Sequence, residues 1–174
     1  MKQHDPAPGS RSRRRRVAGH AQDDQVIDTY KLRGKLSEPT RCPTCGAVYQ
    51  EGRWQWGREG LSGLAHEEVC TACHRVKDNY PAGILTIKGP VVVSHKSDVI
   101  ALARHNEQAE KAEHCQNRII AIEEVSEDEL VIKTTDIHLP CRIGKAIDRA
   151  FHGDLRIHYD EQNYFVRVEW RRDA

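Results

Sequence analysis

Six cysteines are the residues best able to do chemistry in this 174-residue chain, and four of them fall in two pairs, Cys42-Pro-Thr-Cys45 and Cys70-Thr-Ala-Cys73. A two-residue spacer lets two thiolates reach one ion from a single tight turn. Two such knuckles supply four sulfurs at ~2.3 Å in a tetrahedron, with no open position for water. Pro43 helps fix the first turn, and Gly46 tolerates the positive φ that often follows it. The spacing therefore predicts one structural Zn2+, held by Cys42, Cys45, Cys70 and Cys73 from knuckles on separate hairpins.

Other readings of these thiols fit less well. A thioredoxin-like redox pair needs a single C-x-x-C in a βαβ setting. Cys70-Thr-Ala-Cys73-His74 is formally a C-x-x-C-H haem attachment site, but that reading leaves Cys42 and Cys45 without a role. It also presumes export, whereas the Arg run 13–16 is followed by Val17, Ala18, Gly19 and His20 rather than by an apolar segment. Cys115 and Cys141, with His114 and His138 nearby, lack a second knuckle and read as small buried hydrophobes. No nucleophile–base arrangement, phosphate loop or perturbed carboxylate pair is visible. Glu123, Glu124, Glu127, Asp128 and Glu129 read as a solvated turn, so the chain reads as a binding protein, not an enzyme, without a small-molecule substrate.

The candidate binding residues are basic and aromatic. Arg11, Arg13, Arg14, Arg15 and Arg16 suit a phosphate backbone, where each neutralised charge releases counterions. Net charge is +1, yet residues 1–35 hold nine Lys/Arg against four Asp, and the remainder 18 against 22 acidic residues. Lys133, Arg156, His158, Arg167 and Arg171 are expected to share one sheet face, with Arg156 and Arg167 the candidate nucleic-acid contacts. Trp54 and Trp56 lie two apart in a strand-like run and point to one side, to stack on a partner or to pack on the knuckle and the helix beside it.

The elements that must position these residues follow from composition and period. A hydrophobic share of 38%, a charged share of 30% and a mean hydropathy of −0.72 leave only a modest core, which a metal can staple. Residues 1–35 have too few apolar positions to offset their ordering entropy and read as a disordered basic tail. Residues 36–93 form the zinc ribbon, with a Gly-rich loop at 57–63 and a short strand at Ile84–Ile87. Residues 94–117 read as a connector helix capped by Ser94 or Ser97. Residues 118–174 alternate as ββαββ, with strands at 119–125, 130–135, 155–159 and 166–170, and a helix between an Asp136 cap and Gly153. The whole is α+β, its second module a two-layer unit of one helix on a four-stranded, largely antiparallel sheet. No apolar run approaches the ~18 residues of a membrane span, and paired thiols with no export segment read as cytoplasmic.

Three stretches, Arg41-Cys42-Pro43-Thr44-Cys45-Gly46-Ala47-Val48-Tyr49, Tyr80-Pro81-Ala82-Gly83 and Thr134-Thr135-Asp136-Ile137-His138-Leu139, resemble an uncharacterised bacterial zinc-ribbon family over residues 35–172. More weakly, the chain is similar to the N-terminal part of the ribosomal large-subunit export adaptor and its archaeal relatives, where C-x-x-C ribbons precede a small α+β unit. That resemblance implies Cys42, Cys45, Cys70 and Cys73 as metal ligands and a bias toward RNA or the ribosome. The adaptor has further zinc-binding cysteines and later domains that have no counterpart in this sequence. Two functions stand at this point: a zinc-stabilised RNA- or ribosome-associated protein, and a ribbon adaptor that docks a protein partner without nucleic acid.

Overall fold

The computed structural model describes residues 27–57 and 65–173. The arginine run and most of the Gly-rich loop lie outside the described residues, whereas 27–35, expected to belong to the tail, are placed against the body of the protein.

The described residues form two mixed sheets and three helices. The first sheet is small: β1 (Thr40–Arg41), β2 (Ala47–Gln50), β3 (Arg53–Trp56) and β4 (His66–Glu67), in the order β3-β2-β1-β4. β2 and β3 form a hairpin whose register pairs Tyr49 with Trp54, and their rings meet edge to face at 5.6 Å. A short helix, α1 (Thr71–Asp78), follows β4.

The second sheet holds five strands, not the four expected. After α1 come β5 (Gly83–Lys88), α2 (Pro90–Glu113), β6 (Ile119–Ser126), β7 (Glu129–Thr134), α3 (His138–Phe151), β8 (Asp154–Tyr159) and β9 (Val166–Arg171). The sheet order is β6-β7-β5-β9-β8. β5 is therefore the central strand of this sheet rather than part of the ribbon, running antiparallel to β7 and parallel to β9. The reason is apolar demand. Leu85 and Ile87 are fully buried between Ile132 and Leu130 on one side and Val168 and Trp170 on the other. Without them those neighbours would face a gap.

The expected connector helix is likewise part of this layer. α2 begins at Pro90, where a proline costs no hydrogen bond, and breaks its regular geometry at His95. It buries Val91, Val92, Val99 and Ala103 in the same core as Leu139, Ile143 and Ile147 of α3. Gly89, just before it, has φ +115°, and an added Cβ would collide with the Arg172 backbone. Helices α2 and α3 pack on one face of the sheet, and among the described residues no helix covers its other face. The α3 start is built as its sequence implies: Asp136 Oδ2 accepts the His138 and Leu139 N–H groups at 2.7 and 3.0 Å.

Candidate metal centre

The first C-x-x-C sits in the loop between β1 and β2. Cys42 N–H donates to the Ala47 carbonyl and Gly46 N–H to the Cys42 carbonyl, closing the turn, while Gly46 takes φ +79°. The second pair departs from the hairpin expectation: Cys70 caps α1 and Cys73 lies in its first turn. One helical turn brings two side chains three residues apart to the same side, so the geometry of a knuckle is met by a helix start. There the positive end of the helix dipole also favours thiolates.

One ligand atom from each of Cys42, Cys45, Cys70 and Cys73 lies within 4.8 Å of the others, so the four can hold one metal ion. Cys45 Sγ and Cys70 Sγ are 3.7 Å apart, against the ~3.8 Å edge of a tetrahedron with ~2.3 Å metal–sulfur bonds. Cys42, Cys70 and Cys73 are buried and Cys45 is half-buried. The donor set and its spacing fit a four-coordinate ion bound wholly through sulfur.

Electrostatics divide the thiols. Burial opposes ionisation of Cys42, but backbone N–H groups of Cys70, Cys45 and Thr44 outweigh it and bring the thiol down to about 6. Cys70 N–H donates to Cys42 Sγ at 3.3 Å. Burial pushes the Cys70 and Cys73 thiols up instead, Cys73 with added repulsion from Cys70.

A buried cation that the sequence reading did not single out completes the site. Arg118, 8% exposed, stands between α2 and β6 and reaches into the first module. Its guanidinium donates to Cys45 Sγ at 3.1 Å and Cys73 Sγ at 3.3 Å, and its Nε–H to the Cys115 carbonyl at 2.7 Å. Burial works against its charge, yet hydrogen bonds and charge at Cys45 and Cys73 outweigh this and raise its pKa further. Four thiolates around a divalent ion carry a net charge of about −2, and Arg118 offsets part of it with directed donors. The sequence offers little warning, since a single Arg at the mouth of a β-branched run reads as an ordinary strand start.

Neighbouring contacts fasten the two modules around this centre. Gln116 accepts from the Thr71 hydroxyl at 2.6 Å and the Ala72 N–H at 3.0 Å, and donates to Cys115 Sγ. Cys115 is buried against the four-cysteine cluster, whereas Cys141 lies in the sheet core and donates to the Ile137 carbonyl. Trp54 packs on the cysteine cluster, and Trp56 donates its indole N–H to the Lys111 carbonyl of α2 at 2.6 Å while its ring lies 5.8 Å from Arg118. Trp54 is thus spent on packing, whereas Trp56, though tied to α2, stays 36% exposed.

Arg118→Leu should lower metal affinity roughly 10- to 100-fold, the usual effect of losing an outer-shell partner. Competition against a chromophoric chelator measures it. Unchanged affinity would reduce Arg118 to a packing residue.

Arg11, Arg13, Arg14, Arg15 and Arg16 lie outside the described residues. Arg156 and Arg167 are both exposed, on β8 and β9, but Arg156 is paired with Asp154 at 2.8 Å whereas Arg167 lies over the Phe165 ring at 5.1 Å. Among the described residues no helix is long and apolar enough to cross a membrane.

Comparison with protein-family models, with curated proteins and with solved structures finds no match.

Proposed function

We propose that the protein is an RNA- or ribosome-associated binding protein stabilised by one structural zinc ion. The observation that carries the structural role is closure: all four corners are sulfurs, three of them are buried, and Arg118 donates to two sulfurs from the outside. A catalytic metal needs an open position, and soft thiolate ligands favour zinc among common intracellular ions. Binding then falls to the surfaces that the zinc holds in place and to the arginine run, whose charge suits phosphates. The resemblance to the large-subunit export adaptor supports the ribosome as the setting.

One observation favours the second reading, a ribbon adaptor for a protein partner. The open sheet face carries Glu123, Glu129, Asp154 and Glu169 among its Lys and Arg residues, so it is not uniformly basic. Affinity purification with and without nuclease separates the two. Ribosomal proteins that co-purify and are released by nuclease support the RNA reading, and a nuclease-resistant partner of another kind supports the adaptor.

A further inference from the structure

We infer that a cleft between the N-terminal segment and the β8–β9 turn binds an unpaired nucleotide of single-stranded RNA, an inference that rests on the RNA reading above and gives it a place on the molecule.

Strand register sorts the charges of the open sheet face into three rows. The first row runs Ala121, Lys133, Ile84, Arg167, His158 and contains no carboxylate. The second runs Glu123, Val131, Thr86, Glu169, Arg156, and the third Ser126, Glu129, Lys88, Arg171, Asp154. All four acidic residues of these rows thus hold register positions outside the first. Lys133 is already bound to Glu123 at 2.8 Å. Arg167 makes no ion pair among the described residues.

Arg167 also lines a cleft of about 290 Å³ with Arg75, Tyr80, Tyr164 and Phe165. A pocket of this size is at the lower end of small-ligand sites, enough for a base and its sugar. Its lining combines aromatic rings and a guanidinium, the pairing that holds unstacked bases and their phosphates. Tyr80 is 54% exposed, and its ring already stands 5.6 Å from that of Tyr30, so one side of it is packed and rigid. The two carboxylates in the lining each have a partner. Asp28 binds Arg75 and the Tyr30 N–H, and Asp160 Oδ1 accepts the N–H groups of Gln162 and Asn163 within its own turn.

Pro81, Asn163 and the segment 27–29 complete the wall. Ile27 N–H donates to the Gln162 carbonyl and the Tyr164 N–H to Ile27, so the chain is pinned here. The described residues therefore begin at the edge of this cleft.

The test uses the full chain, a labelled single-stranded oligouridylate of about ten nucleotides and a duplex of equal length. Arg167→Glu and Tyr80→Ala should each weaken single-strand binding roughly five- to hundredfold, the usual range for a lost base stack or its partner. Duplex binding should hold in both, and Arg149→Glu, exposed on α3 and outside the cleft, should leave single-strand binding unchanged. Because Tyr80→Ala can also loosen Tyr30, photo-cross-linking of a thiouridine-substituted strand to the unaltered protein gives an independent reading. Adducts on Tyr80 or Phe165 support the cleft. If the unaltered protein binds single strands but both variants bind as tightly, or adducts fall only elsewhere, the cleft is excluded while the RNA reading stands. If the unaltered protein binds neither RNA, both readings fall.

Discussion

A tight chelator should unfold residues 36–80 and leave the five-stranded sheet standing. The first module has only a small apolar core of its own: the buried cluster is Cys42, Ala47, Cys70, Ala72, Cys73 and Cys115, with Trp54 and Val69 at its edge and Val48 and Tyr49 buried in the hairpin. Ordering this module costs backbone entropy that so few buried side chains do not offset. A structural zinc is worth about 10–16 kcal/mol in apparent terms, and it decides whether that module folds. The sheet has a separate core of Leu85, Ile87, Leu130, Ile132, Ile147, Val168 and Trp170, all fully buried. The metal does not touch it. The three tryptophans report the difference, since Trp54 and Trp56 belong to β3 and Trp170 to β9. In a Trp54→Phe, Trp56→Phe variant the emission that remains comes from Trp170 and should stay blue-shifted after chelation. Hydrogen exchange should rise over residues 36–80 and locally over 114–118, where Arg118 and Gln116 lose their partners. A red shift of Trp170 at the same chelator concentration would mean that the two modules fold as one, and elemental analysis showing no zinc in untagged protein would remove the basis of the prediction.

Deleting residues 1–20 should produce the other large effect, on RNA affinity and not on stability. The segment removes five closely spaced arginines and none of the buried side chains of either module. If all five engage phosphates, log K against log salt has a slope of up to about −4.5 on duplex and −3.5 on single strands, at ~0.9 or ~0.7 per contact. Between about 50 and 200 mM salt that amounts to a loss of roughly a hundred- to five-hundredfold, and the truncated protein should show a much flatter line. Its melting temperature should match that of the full chain. Equal slopes and affinities for the two forms would make the arginine run a bystander and favour the protein adaptor.

The metal centre was legible because its chemistry is local. Two cysteines separated by two residues meet one ion whether a hairpin or a helix start carries them, so Cys42, Cys45, Cys70 and Cys73 could be named from spacing although the second knuckle proved to be the start of α1. The same holds for the alternating runs that became β6 to β9, for the α3 stripe, and for its Asp136 cap, each a pattern within one element.

Partner choice is another matter. Ile84–Ile87 reads as a strand wherever it belongs, and only the apolar faces of β7 and β9 draw β5 to the centre of the sheet and α2 into its helical layer. Arg118 is one arginine among many in the sequence, and it becomes part of the metal centre because the fold carries it 45 residues back to Cys73. Arg156 and Arg167 look equivalent as sequence. Register alone places one beside Glu169 and Asp154 and the other between His158 and Ile84 at the mouth of a cleft. Spacing and period determined which ligands and which elements exist, because those depend on neighbours within a turn or a strand. Tertiary structure decided which charges are neutralised and which surfaces remain open, because those depend on residues brought together from opposite ends of the chain.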